Sequence, residues 1–174
     1  MRDSKLSQLR EKNSQLGYQE AYESAREYAL RLLDMRDYSS FQILERMVGR
    51  GYDQRVCQDV CNRLSEVGLL DDQRYANMLV RDRFDMRGLA RRALRLELLK
   101  RGIDGIMAEQ ALDQISEQDE RETGVLWAAK KARSCEGQKR DVVFRRVVSM
   151  LGRKGYSAGV AVSITNQVLD ELEQ

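Results

Sequence analysis

The chain has 174 residues, 42% apolar but only 6% aromatic, so one large domain or several small helical units must be built around Leu, Val, Ile, Ala and Met. It has no histidine, and no proline where ordinary usage of about 5% would give about nine; a Ser-His triad, a histidine metal site, an imidazole shuttle and proline-rich linkers are excluded, and an all-α chain is expected. Lys and Arg number 30 against 28 Asp and Glu, and the resulting +2 by itself assigns no partner.

Residues 1–18 read as a polar tail with isolated Leu6, Leu9 and Leu16. It lacks the apolar run of a signal peptide or a membrane span. With three cysteines and no export signal, a reducing cytoplasm is the expected setting and no membrane partner is expected.

The next stretch, 19–70, predicts three helices. Ala21, Ala25, Tyr28, Ala29 and Leu32 follow the helical period. Ser39 and Gln42 form a capping box for a second helix carrying Ile43 and Met47. Arg50-Gly51-Tyr52-Asp53 then ends that helix and caps a third, with Val56, Val60 and Leu64 on one face.

Residues 71–116 repeat the scheme. Asp71 caps a helix with Tyr75, Ala76, Leu79 and Val80; Leu94 and Leu98 mark the middle helix; Arg101-Gly102-Ile103-Asp104 leads into Met107, Ala111 and Ile115. Residues 117–174 repeat it again, through Val125, Ala128, Ala129 and Ala132, then Val147 and Leu151, then Lys154-Gly155-Tyr156-Ser157 and Val160, Ile164 and Val168. The three glycines lie 51 and 53 residues apart, and every position at plus 5, 9 and 13 from them is apolar. This predicts nine helices in three tandem three-helix repeats, neighbouring units burying each other's faces.

The charge is segregated. Residues 81–101 carry 8 basic against 3 acidic groups, 102–123 carry 1 against 7, and 124–154 carry 9 against 2. The first basic cluster is Arg81, Arg83, Arg87, Arg91, Arg92, Arg95, Lys100 and Arg101; the second includes Lys130, Lys131, Arg133, Lys139, Arg140, Arg145, Arg146, Arg153 and Lys154. Stacked repeats would align both along one side as a stripe for a phosphate backbone or an acidic protein groove. The alternative is a solvated face laced with intrahelical pairs such as Glu97 with Arg101. On the stripe reading, reversal of Arg91, Arg92 and Arg95, or of Lys139, Arg140 and Arg145, weakens binding with little effect on folding. Arg95 is the odd member, because the matching positions hold apolar Leu44 and Val148. Glu109 and Asp113 on the acidic helix serve as the control.

Other motifs favour structural readings. A helix-turn-helix reader would need a basic second helix, whereas the helix after Asp104 carries Glu109 and Asp113 and has no Lys or Arg through Ser116. Cys57 and Cys61, four apart, have repeat equivalents Ala108, Leu112, Ala161 and Thr165 and read as core fillers, not metal ligands. Cys135, in the Ser134–Gly137 stretch, reads as a free surface thiol. Gly152-Arg153-Lys154-Gly155 resembles a nucleotide-clamping GxxG loop but fits a helix C-terminus. Asp71 and Asp72 fit a helix start, and Trp127, Tyr28 and Tyr75 fit packing. No phosphate-cradling glycine motif and no catalytic constellation is present, so the expectation is a non-enzyme without cofactor or metal.

Asp37-Tyr38-Ser39 with Leu44, and above all Gly68-Leu69-Leu70-Asp71-Asp72-Gln73-Arg74-Tyr75-Ala76, resembles the RecX regulatory proteins. Arg87-Gly88, Leu94-Arg95, Glu97-Leu98 and Lys100-Arg101-Gly102-Ile103 continue the likeness, as do Phe144-Arg145-Arg146 and Gly155-Tyr156-Ser157, over about residues 20–170. Many relatives carry Tyr-Gly before the second middle helix where this chain has Met86-Arg87-Gly88. The resemblance implies an elongated, curved helical array. It implies a modulator of the RecA recombinase that binds the RecA filament on single-stranded DNA and mostly inhibits strand exchange, ATP hydrolysis and coprotease activity; a monomer is expected. It further implies binding to DNA, single-stranded or double-stranded, without sequence specificity; a general single-stranded nucleic-acid binder is the other reading.

Overall fold

In a computed structural model, residues 2–172 are described, and all their regular structure is helical. The ten helices are α1 (Arg2–Ser14), α2 (Tyr18–Met35), α3 (Ser40–Val48), α4 (Gln54–Glu66), α5 (Asp72–Arg87), α6 (Arg91–Lys100), α7 (Gly105–Leu112), α8 (Glu117–Arg133), α9 (Arg140–Arg153) and α10 (Ala158–Leu172). Nine were expected. The additional one is α1, where the polar tail folds: its Leu, Lys, Arg, Glu and Gln are good helix formers despite the absence of an apolar face.

The helix starts follow the sequence. The side chain of Ser39 accepts from the Gln42 amide and the Gln42 side chain accepts from the Ser39 amide, the full capping box. Asp53 and Asp104 cap α4 and α7 through their own side chains. Asp71 accepts the Arg74 amide at 2.8 Å, while Asp72 accepts the Ser40 amide at 2.7 Å, so this carboxylate pair anchors two helix starts. Each such cap stabilises its helix by about 1 kcal/mol.

Two compact units result. One comprises the described part of residues 1–75 together with 101–103; the other comprises 76–100 and the described residues from 104 onward. In the first, Ala21, Ala25 and Ala29 let α2 close on α3 and α4, over Ile43, Met47, Val56, Cys57, Val60 and Leu64. In the second, Ala128 and Ala132 of α8 pack with Val143, Val147 and Leu151 of α9 and with Ala161, Ile164 and Val168 of α10. The six positions four and eight residues before the repeat glycines are Met47, Leu98, Leu151, Ile43, Leu94 and Val147, and all are buried. Val160 departs from the pattern: its equivalent Val56 is 3% exposed, but Val160 is 39% exposed at the mouth of an open cleft.

The repeat punctuation is a docking device. Gly51, Gly102 and Gly155 have φ of +92°, +78° and +98°, the left-handed region, and each lies too close to another element to carry a side chain. In the first unit Ser39 Oγ donates to the Arg101 carbonyl at 2.5 Å, and Gly102 lies against Phe41. In the second unit the Ala90 amide donates to the Lys154 carbonyl at 2.9 Å, and Gly155 lies against Ala93. A basic-glycine turn thus sits on the start of a preceding middle helix twice.

Cys57 and Cys61 are core fillers, as their repeat equivalents indicated. Burial, with the neighbouring Cys61 and Asp53 charges, pushes the Cys57 thiol up to about 12; burial and Asp72 push Cys61 up to about 11. Burial and Glu120 also raise Tyr156. Above pH 9 the unfolded chain releases thiol protons that the folded core retains. The stabilisation is therefore fully present below pH 9 and is lost as pH rises through 11 and 12, by roughly 1 kcal/mol per pH unit for each thiol. Urea melts at pH 7, 9 and 10.5 should show this loss, and a Cys57→Ala/Cys61→Ala chain should lose less between the two higher values. An equal loss would assign the alkaline lability elsewhere.

Candidate nucleic-acid interface

The two basic clusters behave differently. In the first, Arg83 pairs with Glu97 at 3.2 Å, and Arg95 pairs with Glu109 of α7. Arg91 donates from its guanidinium to the Ile115 carbonyl at 2.7 Å and lies 4.0 Å from Asp113. Its own amide donates to Glu120 at 3.0 Å. Arg91 therefore ties the starts of α6 and α8 to the end of α7, and its side chain is 31% exposed. Reversing it removes a bond to an otherwise buried helix end, which corrects the expectation that the set Arg91, Arg92 and Arg95 is neutral for folding. Glu109 and Asp113, being the partners of Arg95 and Arg91, are likewise not an independent control.

Arg81, Arg87, Arg92 and Lys100 remain exposed cations, and Arg92 stands at the surface of an open cleft. That cleft, of about 750 Å³, has mixed charge, Arg92 sharing it with Arg91, Glu117, Glu120, Arg121 and Tyr156. Arg101 belongs to the first unit, where it is half-buried and donates to the Tyr75 hydroxyl at 2.7 Å.

That hydrogen bond has cation–ring counterparts in the other two repeats. Arg50 lies 3.9 Å over the Tyr28 ring, and Lys154 lies 3.5 Å over Trp127. In each repeat the basic residue of the turn clasps an aromatic side chain on the first helix of its own repeat. Lys154 also donates to the Arg87 carbonyl, and burial with the nearby Lys130 charge lowers its pKa. Arg101 and Lys154 are thus holding residues, and so is Trp127. The cue in the sequence was the recurring pair of aromatic and basic-glycine positions, which composition alone did not connect.

The second cluster builds a groove. Lys131 of α8 and Val142, Arg145, Arg146, Ser149 and Arg153 of α9 line an open cleft of about 550 Å³. Its lining holds four cations, one hydroxyl and no carboxylate. Arg145, Ser149 and Arg153 recur at i, i+4 and i+8, which places them along one helix face over about 12 Å. The α9 core stripe Val143, Val147 and Leu151 turns these residues outward. Arg153 donates to Ser149 Oγ at 2.7 Å, and Arg145 pairs with Asp141 at 3.1 Å in an exposed i,i+4 arrangement that water largely screens. Nearby, Lys139 is exposed at the N-cap of α9, Lys130 lies 5.3 Å from Trp127, and Arg140 pairs with Asp170 at 2.5 Å. Ser149 was not anticipated, because a lone serine on a helix carries no signal until its neighbours are known.

Cys135 corrects another expectation. It is buried, 2% exposed, since the turn after α8 folds beneath α9 and its Sγ accepts from Arg146 at 3.9 Å. Desolvation raises its pKa, but the Arg146 and Ser134 hydrogen bonds and the Lys131 and Arg146 charges outweigh it, and the net shift is downward. The thiol thereby helps hold Arg146 at the edge of the groove. Gly152–Gly155 is the end of α9, as its helix-terminus reading required.

The groove can hold a row of phosphates: charge-assisted bonds from three guanidiniums and an ammonium, with a hydroxyl donor between. Contacts of this kind to phosphates fix position along a strand and carry no sequence information by themselves.

Comparisons with known proteins agree on the lineage of such a chain. Residues 25–64 match the family model for RecX, first three-helix domain, and residues 71–112 match that for RecX, second three-helix domain. The chain is 38% identical over 149 residues to the regulatory protein RecX of Streptomyces coelicolor, covering 86% of this chain and 79% of that one. It is 35% identical over 151 residues to the regulatory protein RecX of Corynebacterium efficiens, covering 84% and 72%. In fold it is similar to the crystal structure of RecX from Lactobacillus salivarius, with a TM-score of 0.73 at 22% identity over 84% of this chain and 96% of that one. A second crystal structure of regulatory protein RecX gives 0.71 at 21% identity, over 86% and 71%.

Proposed function

This chain belongs to the RecX family of regulatory proteins, and from that premise we propose that it binds the RecA nucleoprotein filament and modulates, mostly by inhibition, its recombinase, ATPase and coprotease activities. Family membership is the observation that carries this reading. On it, the protein is a cytoplasmic, monomeric regulator of DNA repair that performs no catalysis of its own, with repeats spanning 19–70, 71–116 and 117–174. The contact face comprises the groove cations Lys131, Arg145, Arg146 and Arg153, extended by Lys130, Lys139, Arg140, Arg81, Arg87, Arg92 and Lys100. A long polyanion such as filament-bound single-stranded DNA suits a row of cations.

The test is a RecA strand-exchange and ATPase assay with the chain titrated in. Both activities should fall as it approaches filament saturation. Unchanged activities would refute the reading. The groove also supports direct binding of single-stranded nucleic acid without RecA; equal affinity for bare and RecA-coated strands would favour that second reading.

A further inference from the structure

The first basic-glycine turn poses the same steric problem as the other two, and a different element solves it. Gly102 rests on α3 within the first unit, and Gly155 rests on α6 within the second. Gly51 rests on α1: a Cβ there would overlap the Arg10 backbone. The hydrogen bonds correspond as well. Ser39 and Ala90 donate to the carbonyls of Arg101 and Lys154, and Asn13 Nδ2 donates to the carbonyl of Arg50, the equivalent residue, at 2.9 Å. Arg10 Nε adds a bond to the Gly49 carbonyl at 2.6 Å.

We infer that α1 is a capping strap: it occupies the docking face of the Arg50–Gly51 turn in the place that a middle helix takes in the later repeats. Three features fit that role. Asn13 is 5% exposed and spends its amide on the turn, although an asparagine inside a helix is otherwise mildly unfavourable. Leu16, just beyond α1, packs against the first core. Ser4, Lys5, Ser7, Gln8, Glu11 and Lys12 of α1 are exposed and polar, which is the character of the outer face of a cap in a repeat protein.

The strap is held by few groups, so it can be released without disturbing the repeat beneath it. Release leaves the Gly49 and Arg50 carbonyls and the bare glycine face uncovered. The occupant that the uncovered face would take is a second copy of this chain, because turn faces and helix donors of this chain already recognise each other.

The full chain carrying Arg10→Ala and Asn13→Asp tests this. Aspartate keeps the shape of Asn13 but offers a carboxylate where the turn needs a donor. Amide exchange across 4–14 should accelerate at least tenfold, exchange in α3 and α4 should stay unchanged, and sedimentation should show mass rising with concentration relative to the unsubstituted chain. Lys5→Ala/Lys12→Ala on the outer face should alter neither readout. Unchanged exchange in α1 would overturn the docking. Loss of α1 protection without any gain in mass would overturn the capping role.

Discussion

Reversal of Lys131, Arg145, Arg146 and Arg153 together to glutamate should lower affinity for single-stranded DNA, bare or within a RecA filament, by at least about 100-fold at moderate salt. These four are the cations of one groove without a carboxylate in its lining, so the change replaces a cation row by an anion row. The slope of log affinity against log salt should shrink by about 0.7 for each phosphate that the variant no longer neutralises on a single strand. Folding should be little affected, because Arg145, Arg146 and Arg153 are exposed and the core of α9 rests on Val143, Val147 and Leu151. Arg31→Glu, which removes an exposed cation paired with Glu27 on α2, should leave affinity unchanged. Fluorescence anisotropy with a labelled oligonucleotide reads all of this. Retained affinity in the fourfold variant, with a fall on reversal of Arg81, Arg87 and Arg92 instead, would move the binding face to α5 and α6.

Gly155→Val should be strongly damaging to folding. At φ of +98° a β-branched side chain is strained, and its Cβ would stand 2.6 Å from the Ala93 methyl and 2.9 Å from the Ala93 backbone nitrogen. Strain and overpacking together should cost about 2–5 kcal/mol, or roughly 5–15 °C in Tm for a chain of this size. Lys154 would leave its register at the same time, releasing the clasp on Trp127 and the bond to the Arg87 carbonyl. Gly152→Ala is the contrast. That residue lies in α9 with open space where the methyl would go, so the substitution should stabilise by about 0.4–1 kcal/mol. Thermal unfolding of both variants checks the pair. A Gly155→Val chain melting with the parent would mean that the turn does not dock.

Much of the fold was legible because helix burial is a local property. Which residues share a face depends only on a period of 3.6, so the apolar positions around Gly51, Gly102 and Gly155 announced the buried stripes of α3, α4, α6, α7, α9 and α10. Caps were legible for the same reason. Ser39 with Gln42, Asp53, Asp71 and Asp104 bond to amides two or three residues away. The tail was less legible: α1 has no apolar stripe, and what holds it is a pair of bonds reaching 37 and 39 residues along the chain.

The fate of each charge could not be read in this way. Arg91, Arg92 and Arg95 look alike in sequence, yet Arg91 reaches a carbonyl 24 residues away, Arg95 finds Glu109 on the next helix, and Arg92 faces an open cleft. Cys135 looked like a loop thiol until the turn carrying it was covered by α9. The sequence by itself determined an all-helical repeat protein, its helix starts and stops, its core stripes and its segregation of charge, since these follow from interactions within a few residues. Only the tertiary structure decided which cations are consumed as clasps and interhelical ion pairs and which four come together to line a groove, because that depends on which helices become neighbours, and the one pair the four make, Arg145 with Asp141, is exposed and screened by water.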